Sequence, residues 1–348
     1  MSAPEQYHAL RHRAALVDRS ARGRLRLAGR DRRAYLQGLL TNDIAALGPG
    51  EGCYAAYLTP QGRMIADMRV FELGDAILVD LEGPVTDAVR DRWEMFIFSE
   101  DVQIADRSVD TVELGVYGPA AADALSTVLA QAHAADEPAP SADQLEAMSV
   151  FSNARWDFRG EPAIVLRSDD PGVHGFDLVV AARHREALEA LFLAAGVPAA
   201  GPEVVEVTRV EAGRPRFGVD MDAETIPLEA GIEARAISLT KGCYVGQEII
   251  IRVLHRGHGR VARRLVGLTF EPGAEVPQAG DGVRSDGREI GAVTSAVRSP
   301  GLERPIALAY VHRDFVEPGT PVVVTGTSER AARVAALPFI ATRPSVGG

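Results

Sequence analysis

Near Val261 the chain changes texture, and this change limits its folding more than any single motif does. Before it, helical stretches alternate with strands that turn back on one another; after it, short β-rich segments are divided by Gly, Pro and Asp. The later segments are Leu265 to Phe270, Gly282 to Arg284, Glu289 to Arg298, Ile306 to His312, Pro321 to Thr325 and Arg333 to Leu337. Their spacing predicts a small antiparallel barrel or sandwich. The earlier part reads as α+β.

Within that earlier part, residues 5–18 read as a helix and Gly23 to Ala28 as a strand. A helix follows from Asp31, with Tyr35, Leu36, Leu39 and Leu40 at helical spacing. The strongest local signal is a hairpin: Cys53 to Leu58, a turn at Pro60-Gln61-Gly62, and a return from Met64 to Phe71. Ala76 to Leu81, Val102 to Ala105 and Val112 to Tyr117 read as strands, and Pro84 to Phe98 as an amphipathic helix between them. A second α+β stretch repeats the theme: a helix over 118–131, strands near 147–152, 162–167 and 175–181, and a helix over 183–195. Residues 134–143 form the clearest irregular connector. A further helix starts at Gly201-Pro202 and ends at Gly213. The expected organisation is one α+β domain from 1–116 with 201–260, a second α+β domain over 117–200, and a C-terminal β-barrel and tail over 261–348.

Composition bears on partners and compartment. The formal net charge is −11, which argues against a general nucleic-acid surface, since phosphate binding needs clustered Lys and Arg. No apolar run reaches transmembrane length, and Met1 to His8 lacks an apolar signal region. Cys53 and Cys243 fit neither a disulfide framework nor a metal-ligand spacing, so no metal site is expected. The expected compartment is the cytoplasm, without a membrane partner. Nucleotide-loop and nucleophile-elbow motifs are absent. His255-Arg256-Gly257-His258 lacks the cysteine or carboxylate partners of a metal pair. The basic run Arg252, Arg256, Arg260, Arg263, Arg264 reads either as a solvated face or as an anion site.

The stretch richest in chemistry is Lys241-Gly242-Cys243-Tyr244-Val245-Gly246-Gln247-Glu248. Lys241 is the only lysine, against 36 arginines, so its compact ammonium and movable pKa are used where shape matters. A short helix is expected from Val245, with Gly257 and Gly259 at its end. Cys243 then lies just before a helix N-terminus and beside Lys241, both of which favour a thiolate. The competing reading is a leftover lysine next to an inert cysteine. Two carboxylates also stand out. Asp67 lies in the apolar strand Met64 to Met68, where it is either paired with Arg69 at an edge or buried, and then hydrogen-bonded or raised in pKa. Glu211 ends a Val-rich helix, with Arg209 and Arg214 as its ordinary partners.

The eight-residue stretch resembles the signature of the YgfZ-like folate-binding proteins, relatives of the glycine-cleavage T-protein, an aminomethyltransferase. Asp18-Arg19-Ser20 through Leu36 to Asp43, Leu58 to Asp67, Arg209 to Gly213 with Phe217-Gly218, and Pro227 to Gly231 resemble further shared blocks, so the likeness spans nearly the whole chain. It implies an aminomethyltransferase-like, three-lobed arrangement around a central folate-binding hole, with a C-terminal antiparallel β-barrel. By the same resemblance, Asp67 matches an aspartate that contacts folate, Glu211 a glutamate that contacts the pterin, and Tyr54 a tyrosine of the same pocket. Arg252 is the expected partner of a folate carboxylate. Two departures stand out: Ala66 replaces the first of two adjacent acids, and the T-protein lacks the cysteine at the late motif.

Three functions remain open on these grounds. The first is a folate-binding accessory protein for iron–sulfur protein assembly or repair, and for tRNA modification that depends on it. In that case Cys243 is tuned by Lys241, a cluster is held transiently through Cys243, and the partners are iron–sulfur scaffold or client proteins. The second is a tetrahydrofolate-dependent aminomethyltransferase or demethylase working through Asp67. The third is a folate sensor without chemistry.

Overall fold

The structure, a computed structural model, describes residues 1–132, 139–255 and 260–341. The chain opens with helix α1 (Ala3–His12) and strands β1 (Ala15–Asp18) and β2 (Gly23–Ala28). Helix α2 (Arg32–Leu39), strands β3 (Gly52–Leu58), β4 (Met64–Glu72) and β5 (Ile77–Leu81), helix α3 (Thr86–Glu94) and strand β6 (Gln103–Asp106) follow. Five of these strands make a first antiparallel sheet in the order β3-β4-β5-β2-β6. Its hairpin is closed by the Thr59 N–H on the Arg63 carbonyl at 2.8 Å and the Gly62 N–H on the Thr59 carbonyl at 2.8 Å. Helices α2 and α3 bring Tyr35, Leu36 and Trp93 onto the face that carries Tyr57, Met68 and Val79.

The second sheet is built from β7 (Thr111–Tyr117), β8 (Asn153–Phe158), β9 (Glu161–Ser168) and β10 (Gly175–Ala181), with β1 at its edge, in the order β1-β7-β10-β9-β8. Helices α4 (Ala121–Ala132) and α6 (Arg185–Ala194) cover it through Leu125, Leu129, Leu188 and Phe192, and short α5 (Ala142–Glu146) sits beside α4. Tyr54, Phe71 and Leu78 of the first sheet share one core with Leu166 and Val179 of the second. Each large side chain buried there stabilises by about 1.5–3 kcal/mol.

The chain then returns to the first sheet through α7 (Pro202–Glu211), α8 (Pro227–Ala230), α9 (Glu233–Ala236) and α10 (Gln247–His255). Strands β11 (Arg263–Phe270), β12 (Gly282–Ser285), β13 (Arg288–Ser299), β14 (Arg304–His312), β15 (Pro321–Thr325) and β16 (Glu329–Ala335) close a barrel in the order β11-β14-β13-β12-β15-β16. All its pairings are antiparallel, and Val283, Ala309, Val324 and Val334 fill its core. Helix α7 packs on β13 and β14, joining barrel to body. The α+β class and the antiparallel C-terminal barrel agree with the sequence reading.

Some details differ from expectation. Residues 15–18 are strand rather than helix, because Ala15 to Asp18 pair with Tyr117 to Leu114 of β7, a partner far away in sequence. Strand β7 itself pairs with β10, so 111–117 belongs with the second sheet, although the first unit was expected to run to 116. The strand expected near 147–152 begins at Asn153. Residues just before that stretch form α5, whose start is capped reciprocally by Ser141 and Gln144. Residues 134–138 of the expected connector, and Gly257 and Gly259 at the expected end of α10, lie outside the described residues. No helix among the described residues is long and apolar enough to cross a membrane.

Candidate functional site

A cavity of ≈ 550 Å³ opens where β3 and β4, the β9–β10 turn and the segments around α7 and α9 meet. Tyr54, Asp67, Met68 and Arg69 come from the first sheet, Asp170 and Pro171 from the turn, Arg209, Arg214 and Arg216 from α7 and beyond, and Ile232 and Arg235 from α9 and its approach. Strand alternation sends Asp67 and Arg69 to one side of β4, and both line the cavity.

Asp67 is the group whose chemistry stands out. It accepts a hydrogen bond at Oδ2 from the Tyr54 phenol at 2.6 Å. Burial lifts its pKa to about 6, against the opposing pull of the Tyr54 hydrogen bond. Tyr54 is itself pushed far above the ordinary phenol range by burial and by the neighbouring Asp67 charge, so it stays a donor. Of the two sequence alternatives, pairing with Arg69 at an edge is not formed, since β4 is an inner strand; the buried alternative, hydrogen-bonded and with a raised pKa, describes Asp67.

Arg69 instead anchors a buried ionic pillar between the sheets. Its guanidinium donates to Asp80 Oδ1 at 3.0 Å, Glu113 Oε1 at 2.7 Å, Asp177 Oδ2 at 2.5 Å and Ser168 Oγ at 3.0 Å. Arg19 reaches Asp170 at 2.9 Å, and Arg22 reaches Glu82 at 2.5 Å. Burial and the Asp80 charge hold Glu113 above the usual carboxylate range. Burial would raise Asp80 and Asp170 as well, but Arg22 and Arg69 outweigh it at Asp80, and Arg69, Arg19 and Arg22 at Asp170, so both stay below. The cavity wall carries seven arginines and five carboxylates, and Arg69, Arg209, Arg214 and Arg235 are also paired with Asp80, Glu113, Asp177, Asp220 and Asp169 just behind it.

The other sequence-marked residues lie elsewhere. Glu211 is fully buried and held by the Tyr7 phenol at 3.0 Å, by Arg11 and by Ser299, at the junction of α1, α7 and the barrel. It does not line the cavity, and its partners are not the Arg209 and Arg214 suggested by sequence. Arg252 is exposed on α10 and is absent from the cavity wall, whose arginines on this side are Arg214, Arg216 and Arg235.

Lys241 is buried. Its Nζ donates to the carbonyls of Gln37 at 2.7 Å, Leu40 at 2.5 Å and Asn42 at 3.0 Å, where α2 ends. An ammonium has three donors, and helix C-termini leave carbonyls without partners, so Lys241 serves as a cap. Burial lowers its pKa to about 8. The thiol coupled to its charge is Cys53, which burial pushes up to about 12. Cys243 is exposed, and the expected tuning by Lys241 corresponds to no contact here, because the ammonium's donors are already taken. Tyr244 lies beneath the Lys241 ammonium at 5.0 Å, and Gly246 presses on the hairpin tip, where a Cβ would sit 2.5 Å from the Thr59 carbonyl oxygen.

Sequence reasoning missed Arg19, Arg22, Arg69, Asp169, Asp170, Arg214 and Arg235. The run Ser168-Asp169-Asp170-Pro171-Gly172 signals a turn, but nothing in it announces that the two aspartates gather four arginines: Arg214 and Arg235 on Asp169, Arg19 and Arg69 on Asp170. A larger cleft of ≈ 720 Å³ lies between the sheets near Leu78, Ile164 and Val179. Its floor is apolar, and rim arginines such as Arg26, Arg107, Arg155 and Arg183 are spent on Asp75, Asp110 and Glu161, so it offers less chemistry than the central cavity. Among the described residues no cluster of His, Cys, Asp and Glu could hold a metal ion.

Comparison with known proteins bears on the family and the fold. Residues 2–241 match the family described as the GCVT N-terminal domain, and residues 263–340 the glycine cleavage T-protein C-terminal barrel domain. The aminomethyltransferase of Geobacillus kaustophilus is 30% identical over 343 residues, covering 97% of this chain and 90% of that one. That of Streptomyces coelicolor is 31% identical over 348 residues, covering 96% and 88%. The crystal structure of glycine cleavage system aminomethyltransferase T from Bartonella henselae superposes with a TM-score of 0.84 at 22% identity, covering 97% and 90% of the two chains, which establishes the aminomethyltransferase-like fold.

Proposed function

This chain belongs to the glycine cleavage T-protein family, and from that premise we propose that it is a tetrahydrofolate-dependent one-carbon transferase of the aminomethyltransferase type, with the central cavity as its site. The observation that carries this reading is the Asp67 carboxyl, held by Tyr54 in an arginine-lined cavity, with its pKa lifted to about 6. The residues present fit the ligand. A carboxylate at Asp67 accepts from the donor edge of a pterin, Tyr54, Pro171 and Ile232 offer flat or apolar walls, and Arg214, Arg216 and Arg235 meet the acidic tail. When bound, tetrahydrofolate supplies the nitrogen that receives the one-carbon unit. Asp67, with Oδ2 engaged by the phenol, offers Oδ1 to orient that ligand and accept a proton, and a pKa near 6 suits a base working close to neutrality. Tyr54 keeps the carboxyl in one rotamer. The test is folate-dependent methylene transfer from amine donors. Turnover is expected to fall about 10²–10⁴-fold in Asp67→Ala. Absence of transfer from every amine donor offered, by the unaltered chain, would overturn the reading.

A second reading keeps the narrower YgfZ-like branch: a folate-binding accessory factor in iron–sulfur protein assembly or repair and dependent tRNA modification, with scaffold or client proteins as partners. The exposed position of Cys243, in a segment whose other side chains are largely committed to packing, favours it. A cluster or an oxidised sulfur would then be met by Cys243 alone, without help from Lys241. Full restoration of iron–sulfur enzyme activity in a deletion strain by Cys243→Ser would remove this reading.

A further inference from the structure

Around Tyr54 the structure assembles a support that no reading so far uses. The Tyr54 ring lies stacked beside that of Phe151, with centroids 6.2 Å apart and planes at 15°. The Arg235 guanidinium sits over both rings, its Cζ 5.4 Å from each centroid. The backbone is tied as well: Asn42 Nδ2 donates to the Tyr54 carbonyl at 2.8 Å and to the Arg235 carbonyl at 3.1 Å. Phe151 holds φ at +68°, a region that bulky side chains rarely occupy. Local strain of this kind persists where surrounding structure over-determines it. Here, the Phe151 N–H is fixed on the Arg167 carbonyl at 3.0 Å, and its own carbonyl lies so close to Gly52 that a Cβ there would approach to 2.3 Å.

Asp169 holds this arrangement from the second sheet. It is buried, it does not line the cavity, and it accepts from Arg235 at Oδ1 at 2.8 Å and from Arg214 at Oδ2 at 2.5 Å. One carboxylate thus fixes the guanidinium that pins the aromatic pair, and the pair presents the phenol to Asp67.

We infer that Asp169 is a positioning residue for the Asp67 carboxyl, acting through Arg235 and the Tyr54 phenol. The inference rests on the reading of Asp67 as the working carboxyl of the cavity. The groups that face Asp67 are Tyr54 from β3, Glu82 after β5, Arg22 before β2 and Asp170 from the β9–β10 turn. Asp169 reaches Tyr54 through Arg235, whose charge also acts on Asp170, and the Tyr54→Phe background separates the two routes. Asparagine at 169 removes the charge that holds Arg235, and with it the orientation of the phenol.

The experiment is a carboxyl-carbon NMR titration of the full chain labelled in aspartate, with the Asp67 resonance assigned through Asp67→Asn. Asp169→Asn is expected to raise the Asp67 midpoint by about half a pH unit, because a hydrogen bond to the ionised form is weakened. Asp169→Glu restores it, Tyr54→Phe raises it alone, and Asp169→Asn adds nothing in the Tyr54→Phe background. An unmoved midpoint in Asp169→Asn, or an equal shift with and without the phenol, overturns the inference. Should Asp169→Asn not fold, Arg235→Met, which leaves the acidic turn intact, gives the same comparison. The titration needs no ligand. Calorimetry of tetrahydrofolate with the unaltered chain tests the reading of the cavity separately, so failure of one is distinguishable from failure of the other.

Discussion

The central cavity gathers its charges from stretches far apart in the chain, whereas the Lys241–Glu248 segment holds its unusual residues side by side. In the cavity, arginines and carboxylates are set against one another across two sheets. In the segment, the one lysine is spent on three carbonyls at the end of α2, Tyr244 and Val245 are packed into two cores, and Gly246 fits the hairpin tip. The difference teaches that a dense motif is not by itself a reactive one. Lys241 caps α2 and Gly246 presses on the hairpin that carries Asp67, while Cys243 is left outward with Gly242 and Glu248.

Substitutions can break this contrast. Arg69→Met should be the most damaging, because it strands Asp80, Glu113 and Asp177 without their shared cation. A loss of about 3–5 kcal/mol in denaturant unfolding is expected, and a loss below about 1 kcal/mol would mean the pillar is not a unit. Lys241→Met should cost less, about 1.5–3 kcal/mol, as three charge-assisted hydrogen bonds at one helix end are lost. The same substitution sharpens the point through pH. The folded pKa of Lys241 lies near 8, below its ordinary value of 10.5, so between those values the unfolded chain binds more proton. Stability of the unaltered chain should therefore gain a rising contribution over that window, and Lys241→Met should abolish it. Cys243→Ser, at an exposed site, should stay within about 0.5 kcal/mol of the unaltered chain in the same unfolding measurement.

The barrel was legible because β-rich segments and turn residues recur along 263–335, and the hairpin because Pro60-Gln61-Gly62 separates two apolar runs. Asp67 was legible as a charge placed among apolar neighbours, and it does line the cavity. Glu211 looked equivalent in sequence, but its partners Tyr7, Arg11 and Ser299 come from the two ends of the fold, and local spacing carries no trace of them. The same is true of Ala15 to Asp18, which read as helix until β7 supplies a partner. Arg24 and Arg69 are buried and satisfied largely through residues far away in sequence, so in sequence they cannot be told from the exposed arginines around them. The roles of Lys241 and Cys243 were joined by adjacency alone; the fold separates them by giving the ammonium to α2.

The most direct test of the cavity as the folate site is the affinity for tetrahydrofolate measured from pH 5 to 8. Asp67 must be ionised to accept from the ligand, and its pKa is lifted to about 6 by burial. Affinity in the unaltered chain should therefore climb through that pH and level off above it, with the limb gone in Asp67→Asn. An affinity that is flat across this range, or a limb that survives in Asp67→Asn, would contradict the account.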